Sequence, residues 1–495
     1  MLKILKNRLF LYSSWCILFF GAVLRSWHYL SDRSLWHDEA KYAIKTIHYS
    51  FFELIMPHAQ GVRDYLATMA GPLGFYIFNK FLTVIFGPSE YVLRLLPFVS
   101  SLVSLYLFYL LAQKFLKPLS ALTALVLFSV NYSLIYYAAE YHPYSSDVMC
   151  TLILFYMFDK LYFETLTKGR TLRYVLVGIL MILSSYPVIF TMAGLGLAVL
   201  WHAYKNKDHP KTVQLLVLFA VWFVSFCVYH FSYIKGFTVT LSYWGDEHYM
   251  PHLPLSINHL KWIVNKFCNA FANAPLLLGF WTYGLALFVL GLMVSPFKDR
   301  RLFWWIFSPL FFTLLASAFR KYPFLNRLIL FLVPVFIVFI VYGLQSILQR
   351  IRYQPVFTVI LIFGIVFSPT VFTLHTLSNG VAREEIKIIL HHLVKYKEKT
   401  DVIYVSNGSI AAFKYYRTRY DLLSHQIIWG TGMTLSPELY ENDMKHLPEC
   451  RRIWFLFAHD YGPGLKTVLQ FLNATGTQIK HFPARGANLY LYQMH

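Results

Sequence analysis

Stretches of roughly 20 consecutive apolar residues recur along this chain from residue 9 to about residue 374. That repeat, more than any motif, limits what the chain can fold into. About 20 residues in a helix, at roughly 1.5 Å each, cross the hydrocarbon core of a bilayer. A soluble core has no use for so many helices that are apolar all round. The composition agrees: 57% of the 495 residues are hydrophobic and only 14% are charged, which puts the chain among polytopic membrane proteins. In a soluble protein the net charge of +20 would suggest a nucleic-acid partner. Here it reads as basic loops kept on the cytoplasmic side against anionic lipid, and no nucleic acid is expected. The five cysteines are scattered, with Cys16, Cys150 and Cys227 inside apolar runs, so neither a metal-ligand spacing nor a disulfide framework emerges.

The basic clusters set the expected topology. Lys3, Lys6 and Arg8 hold the N-terminus in the cytoplasm. The run Leu9 to Leu30 is long for a signal peptide and lacks a small-residue cleavage site, so it reads as a retained helix. Later clusters, from Lys114 and Lys117 to Arg350 and Arg352, mark cytoplasmic returns, with two spans between consecutive clusters. Those pairs are 119–137 and 148–165, 173–187 and 188–204, 212–233 and 276–296, and 302–319 and 324–347, before a last span at 355–374. Between residue 38 and Lys114 the number of crossings must be odd. The run 72–86 is short and contains Asn79 and Lys80, so it is expected to lie in the outer interface. About eleven spans result, with the N-terminus inside and the C-terminus outside. A transmembrane region over 1–374, with outer loops at 31–90 and 235–275, then precedes an outer domain over 375–495.

That last region differs in kind. The segment REEIKIILHHLVKYKEK predicts an amphipathic helix, DVIYVS a buried strand and IAAFKYYRTRY a helix. RRIWFLFA, GLKTVLQFLNATG and NLYLYQM follow as strand, helix and strand. Alternation of this kind implies a small α/β domain with a mainly parallel sheet. It has no Gly-rich phosphate loop and no catalytic constellation, so a structural or acceptor-binding role is expected there.

Chemistry points to the outer loops. In SLWHDEAKYA, Asp38 and Glu39 sit just beyond the first span. Two acids at a helix start can be a solvated pair favoured by the helix dipole. They can also supply a general base or a cation ligand beneath a membrane-embedded substrate. A second outer turn, YYAAEYHPYSSDV, brings Glu140, His142, Tyr144 and Asp147 to the same side. A third, FRKYPFLNRL, puts Arg320, Lys321 and Arg327 outside, against the positive-inside trend. Snorkelling to lipid headgroups is one account of those cations; recognition of a substrate phosphate is the other. Tyr186, Pro187 and the Tyr243–Trp244 pair read as an aromatic belt, with sugar stacking at Tyr243 and Trp244 as the alternative.

These motifs, in their order and sidedness, resemble the GT-C membrane glycosyltransferases. That superfamily includes protein O-mannosyltransferases and the aminoarabinose transferase of lipid A. The chain looks most like bacterial glycosyltransferase family 39-type proteins. WHDEAKYA matches the acidic pair of the first outer loop, and GPLGFYIFNKFLTVIFGPSEYVLRLLP looks like the interfacial helix followed by Gly87, Glu90 and Arg94. EYHPYSSD matches the second outer turn, where relatives often carry Arg at the position of His142; SYPVIF, YWGDEHYMP, KYPFLNRLILFLVP and AREEIK also look familial.

The resemblance implies a helical bundle with interfacial helices over a cavity. It implies a sugar donor on a polyprenyl monophosphate and a hydroxyl acceptor on lipid, glycan or protein, used on the outer face of the plasma membrane. It implies inverting transfer with Asp38 as base, and Glu39 orienting it or binding acceptor. The departure at His142 moves the phosphate contact toward Arg320, Lys321 and Arg327. No nucleotide cofactor is expected; a divalent metal shared by Asp38, Asp147 and the donor phosphate stays open. A polysaccharide polymerase, a lipid-linked sugar flippase and a non-catalytic anchor are the competing readings.

Overall fold

The computed structural model describes residues 2–56, 71–237, 245–251, 256–272, 281–381, 383–423, 426–431, 442–445, 447–448, 451–459 and 464–495. It divides into two compact units: residues 1–31 with 50–379, and residues 32–49 with 380–495. The segment bearing Asp38 and Glu39 thus groups with the C-terminal region and not with the helices that flank it in sequence.

The first unit is a helical bundle. Among the described residues seven helices are long and apolar enough to cross a membrane, eight if one bent pair counts as a single span. The expected eleven is not confirmed by that measure, for identifiable reasons. The helix Tyr144–Phe163 carries Asp147, Asp159 and Lys160. Lys168–Ser184 has 17 residues with three basic ones in its first two turns. In the expected span 276–296 the apolar helix Tyr283–Lys298 falls short of spanning length. Leu73–Phe86, the expected interfacial element and not one of the eleven, is a helix of 14 residues.

The expected span 119–137 is broken into Pro118–Ser129 and Tyr132–Ala138, bent by 49°. Asn131 starts the second piece by accepting the Leu134 N–H at 3.0 Å. The break frees carbonyls that have no water to turn to, so they need protein donors. Arg25, fully buried, donates to the Ser129 carbonyl at 3.0 Å, the Phe128 carbonyl at 3.3 Å and the Ser101 hydroxyl at 2.8 Å. The Thr373 hydroxyl covers the Val130 carbonyl at 2.7 Å.

The helix Val333–Arg350 forms the centre of the bundle, with every side chain from Val333 to Phe339 buried. It packs backbone to backbone on Trp281–Lys298. A Cβ on Gly291 would sit 1.9 Å from the Phe339 carbonyl oxygen, and one on Gly343 would sit 2.1 Å from that of Leu287. Only glycine permits that approach, the usual device for helix association where no hydrophobic gain is available.

The second unit contains a five-stranded sheet: β1 Val402–Val405, β2 Gln426–Trp429, β3 Arg452–Ala458, β4 Gly476–Ala484 and β5 Ala487–Met494. The order is β2-β1-β3-β5-β4. β1 pairs in parallel with β2 and β3, whereas β5 pairs antiparallel with β3 and β4. The sheet is therefore mixed, a correction to the mainly parallel sheet expected. The antiparallel part comes from β5, which runs against β3, and from the edge strand β4, which pairs with β5; the two edge strands carry little signal in the sequence. β4 is mostly exposed, polar and contains Pro483, so no apolar run marks it; β2 has only four residues. Both were absent from the sequence reading. One face of the sheet is closed by the helix Gly464–Thr475 over Tyr404, Phe455, Phe457 and Tyr492.

Candidate functional site

The acids of SLWHDEAKYA open the helix His37–His48, occupying its first turn. Asp38 is half-buried and Glu39 is buried. Carboxylates here offset the partial positive charge of the helix start. The preceding residue, Trp36, provides no side-chain cap. A carboxylate from far along the chain does so instead: Glu384, itself buried, accepts the His37 backbone N–H at 3.0 Å. The other oxygen of Glu384 accepts from His459 Nδ1 at 2.6 Å.

The two imidazoles then stack, with ring centres 4.6 Å apart and planes 12° from parallel. His37 Nδ1–H donates to the Gly408 carbonyl at 2.7 Å, which fixes its tautomer. Burial first, then the charges of Lys41 and His459, push the pKa of His37 down to about 4, so it stays neutral near pH 7. On the same helix, burial pushes Lys45 down to about 7.

The approach to this helix is tied along its length. Arg33 donates to the Val381 carbonyl at 2.8 Å, the Ser34 hydroxyl to Glu385 at 2.9 Å, and the Tyr416 hydroxyl accepts the Leu35 N–H at 2.9 Å. The Arg383 guanidinium lies 4.3 Å from the centre of the Trp36 ring. Glu384 and His459 were missed by sequence reasoning. AREEIK was noticed only as an opening motif, and a lone His after a strand carries no signal by itself.

The first unit gathers most of the second set of candidates. Glu140 and His142 are buried in one turn, His142 Nε2 lying 3.6 Å from Glu140 Oε1. The His142 ring meets Tyr144 at 5.2 Å, and Arg327 lies 5.8 Å from the Tyr144 ring centre. Asp147, buried one turn into the same helix, belongs to this group. Tyr322, a residue the sequence did not single out, joins them: burial, then the charges of Asp147 and Tyr144, raise its phenol well above the ordinary value. Glu140, His142 and Tyr144 thus form a chain of contacts that Arg327 reaches through Tyr144, and Tyr322 lies within reach of both Tyr144 and Asp147. Arg327 approaches the ring of Tyr144 in a region that also carries two buried carboxyl groups, Glu140 and Asp147.

Arg320 and Lys321 sit differently. Arg320 pairs with Asp246 at 3.0 Å, both side chains more than half exposed, and Lys321 is exposed. Solvated pairs of this kind contribute little, about 0–1 kcal/mol. Tyr186 donates to the Gly71 carbonyl at 2.8 Å, anchoring the entry to Leu73–Phe86, and Pro187 precedes the helix Val188–Lys205. Tyr243 and Trp244 lie outside the described residues. Asp38 and Asp147, the two residues considered for a metal, belong to different units. Among the described residues no group of three or more His, Cys, Asp or Glu side chains is arranged to hold a metal ion.

Fold and composition define a multi-pass membrane protein with an α/β unit appended. Residues 70–230 match the family described as dolichyl-phosphate-mannose-protein mannosyltransferase. That interval contains Gly87, Glu90, Arg94 and the turn from Glu140 to Asp147. The archaeal oligosaccharyltransferase AglB from Archaeoglobus fulgidus, solved with an inhibitory peptide and a dolichol-phosphate, is 12% identical with a TM-score of 0.53, over 98% of this chain and 74% of that one. ArnT from Cupriavidus metallidurans, solved with undecaprenyl phosphate, is 13% identical with a TM-score of 0.49, over 98% and 97% of the two chains. No curated protein sequence matches the chain. The chain shares its fold with the archaeal oligosaccharyltransferase, and the resemblance to membrane glycosyltransferases read from its motifs is borne out over residues 70–230.

Proposed function

We propose that this protein is an inverting glycosyltransferase that moves a sugar from a polyprenyl-phosphate donor to a hydroxyl acceptor on the extracytoplasmic side of the plasma membrane. The observation that carries the reading is the match of residues 70–230 to a family described by a polyprenyl-phosphate sugar donor. That interval includes the buried turn bearing Glu140, His142, Tyr144 and Asp147.

In this reading Asp38 takes the acceptor proton as the acceptor oxygen attacks the anomeric carbon. The new C–O bond forms on the face opposite the phosphate, and the electron pair of the broken bond leaves with the polyprenyl phosphate. Glu39 orients Asp38 or the acceptor. Arg327, beside Tyr144, stabilises the developing charge on the leaving phosphate, with Arg320 and Lys321 drawing anionic lipid toward the site. Asp147, Glu140 and His142 hold the sugar and phosphate. The N-terminus is cytoplasmic and the α/β unit extracytoplasmic.

The test gives purified protein radiolabelled polyprenyl-phosphate sugars with lipid, glycan and peptide acceptors, and compares wild type with Asp38→Asn. Transfer by wild type and its loss in the variant are expected. No transfer from any such donor, or equal transfer by both proteins, rejects the reading.

A further inference from the structure

The α/β unit has no phosphate loop, yet its sheet has the feature at which such folds ordinarily bind ligands. β1 lies between β2 and β3 and is parallel to both, so the chain leaves β1 toward one side and later returns on the other. Open sheets of this type take their ligands at that switch point, outside the carboxyl ends of the strands. The residues just beyond β1 meet the end of β3 there. Ser409 Oγ accepts the Ala458 N–H at 2.6 Å, and a Cβ on Gly408 would lie 2.7 Å from the Ala458 carbonyl oxygen.

Among the described residues it is the chain's own segment Trp36–His37 that occupies the crevice. His37 donates to Gly408 beyond β1 and stacks on His459 beyond β3. His459 has a φ of 62°, in the left-handed region that strains a non-glycine residue. The fold maintains that strain while His459 reaches both Glu384 and His37. Glu384 closes the arrangement by capping the first turn of the helix on which Asp38 and Glu39 lie.

We propose that Glu384 and His459 are positioning residues for Asp38 and Glu39, and that the α/β unit is an internal clamp whose switch-point crevice grips the acidic helix start instead of a free ligand. The proposal rests on the assignment of Asp38 as the base. It gives the C-terminal unit a role in turnover without asking it to bind acceptor. A carboxylate displaced by about 1 Å loses on the order of 100-fold in rate, so a loosened clamp acts on kcat.

The experiment uses full-length protein in nanodiscs with the polyprenyl-phosphate sugar that wild type accepts. Glu384→Gln, Glu384→Asp, His459→Gln and Asp38→Asn are compared by kcat, donor KM, and hydrogen exchange at the amides of residues 37–40 and of β1 and β3. Glu384→Gln and His459→Gln are expected to lower kcat about 10- to 100-fold, with donor KM within about twofold. They are also expected to speed exchange at 37–40 while β1 and β3 stay protected, and Glu384→Asp is expected to recover part of kcat. Unchanged kcat in both variants, or loss of protection throughout the sheet with kcat falling only as the folded fraction falls, overturns the proposal. Full transfer by Asp38→Asn instead rejects the base assignment; exchange at 37–40 then still reports whether the clamp itself exists.

Discussion

Asp401 offers the sharpest test of how the second unit is held together. Its carboxylate is buried and accepts four hydrogen bonds: Arg452 Nε at 2.9 Å, Arg452 Nη2 at 3.1 Å, Trp454 Nε1 at 2.8 Å and the Glu398 N–H at 2.9 Å. Three of these fall on Oδ2 and one on Oδ1. Asp401→Asn keeps the shape and removes the charge. With the amide oxygen at the Oδ2 position three donors are still served, but the amide NH2 then faces Arg452 Nε–H, donor against donor. A hydrogen bond to a charged group contributes about 1.5–3 kcal/mol, and leaving a buried charge without its partner costs about 3–5 kcal/mol. Arg452 is about a quarter exposed and also reaches Glu398, which moderates the loss.

The net expectation is a destabilisation of about 2–3 kcal/mol. For a unit of this size that lowers its melting temperature by roughly 6–12 °C. Asp401→Ala, which also abandons the buried Trp454 N–H, is expected to cost more. The assay is thermal unfolding of the full-length protein in detergent, read by the fluorescence of Trp454, with every other tryptophan replaced by phenylalanine as the common background. A shift under about 2 °C for Asp401→Asn would show that the buried carboxylate is not what anchors β1 to β3.

Two further outcomes follow from the geometry. The pKa of His37 lies near 4 in the fold against an ordinary 6.5, so the unfolded chain takes up the proton first. Stability of the second unit is therefore full above about pH 6.5 and declines as pH falls toward 4; His37→Gln should flatten that slope in pH-dependent melting, and an unchanged slope would refute the assignment. Gly343→Ala drives a methyl into the Leu287 carbonyl, so the two helices must part. A loss of heat tolerance in detergent worth about 1–3 kcal/mol is expected, and wild-type tolerance would show that the contact is looser than described.

Much of the first unit was legible because spacing alone announces it. Every apolar run named from the sequence over the described residues became a helix, since length and apolarity are local properties. The break at Val130–Asn131 was not legible: it depends on Arg25 and Thr373, donors roughly 100 and 240 residues away that cover the exposed carbonyls. In the second unit the buried strands Val402–Val405 and Arg452–Ala458 stood out as apolar runs, whereas the edge strands did not. Among the site residues, the turn from Glu140 to Asp147 was readable because its members are neighbours in sequence. Glu384 and His459 could not be read, because their meaning appears only when the chain brings 37, 384, 408 and 459 together. Arg320 looked like a phosphate ligand by sidedness, and the structure gives it an exposed acidic partner, Asp246.

The central claim is transfer with inversion from a polyprenyl-phosphate sugar, and the product's anomeric configuration tests it most directly. NMR of the linkage formed by wild type, using a donor of known anomeric configuration, should show the opposite configuration, with one free polyprenyl phosphate released per sugar transferred. Retained configuration, or sugar transfer without release of that phosphate, would contradict the account.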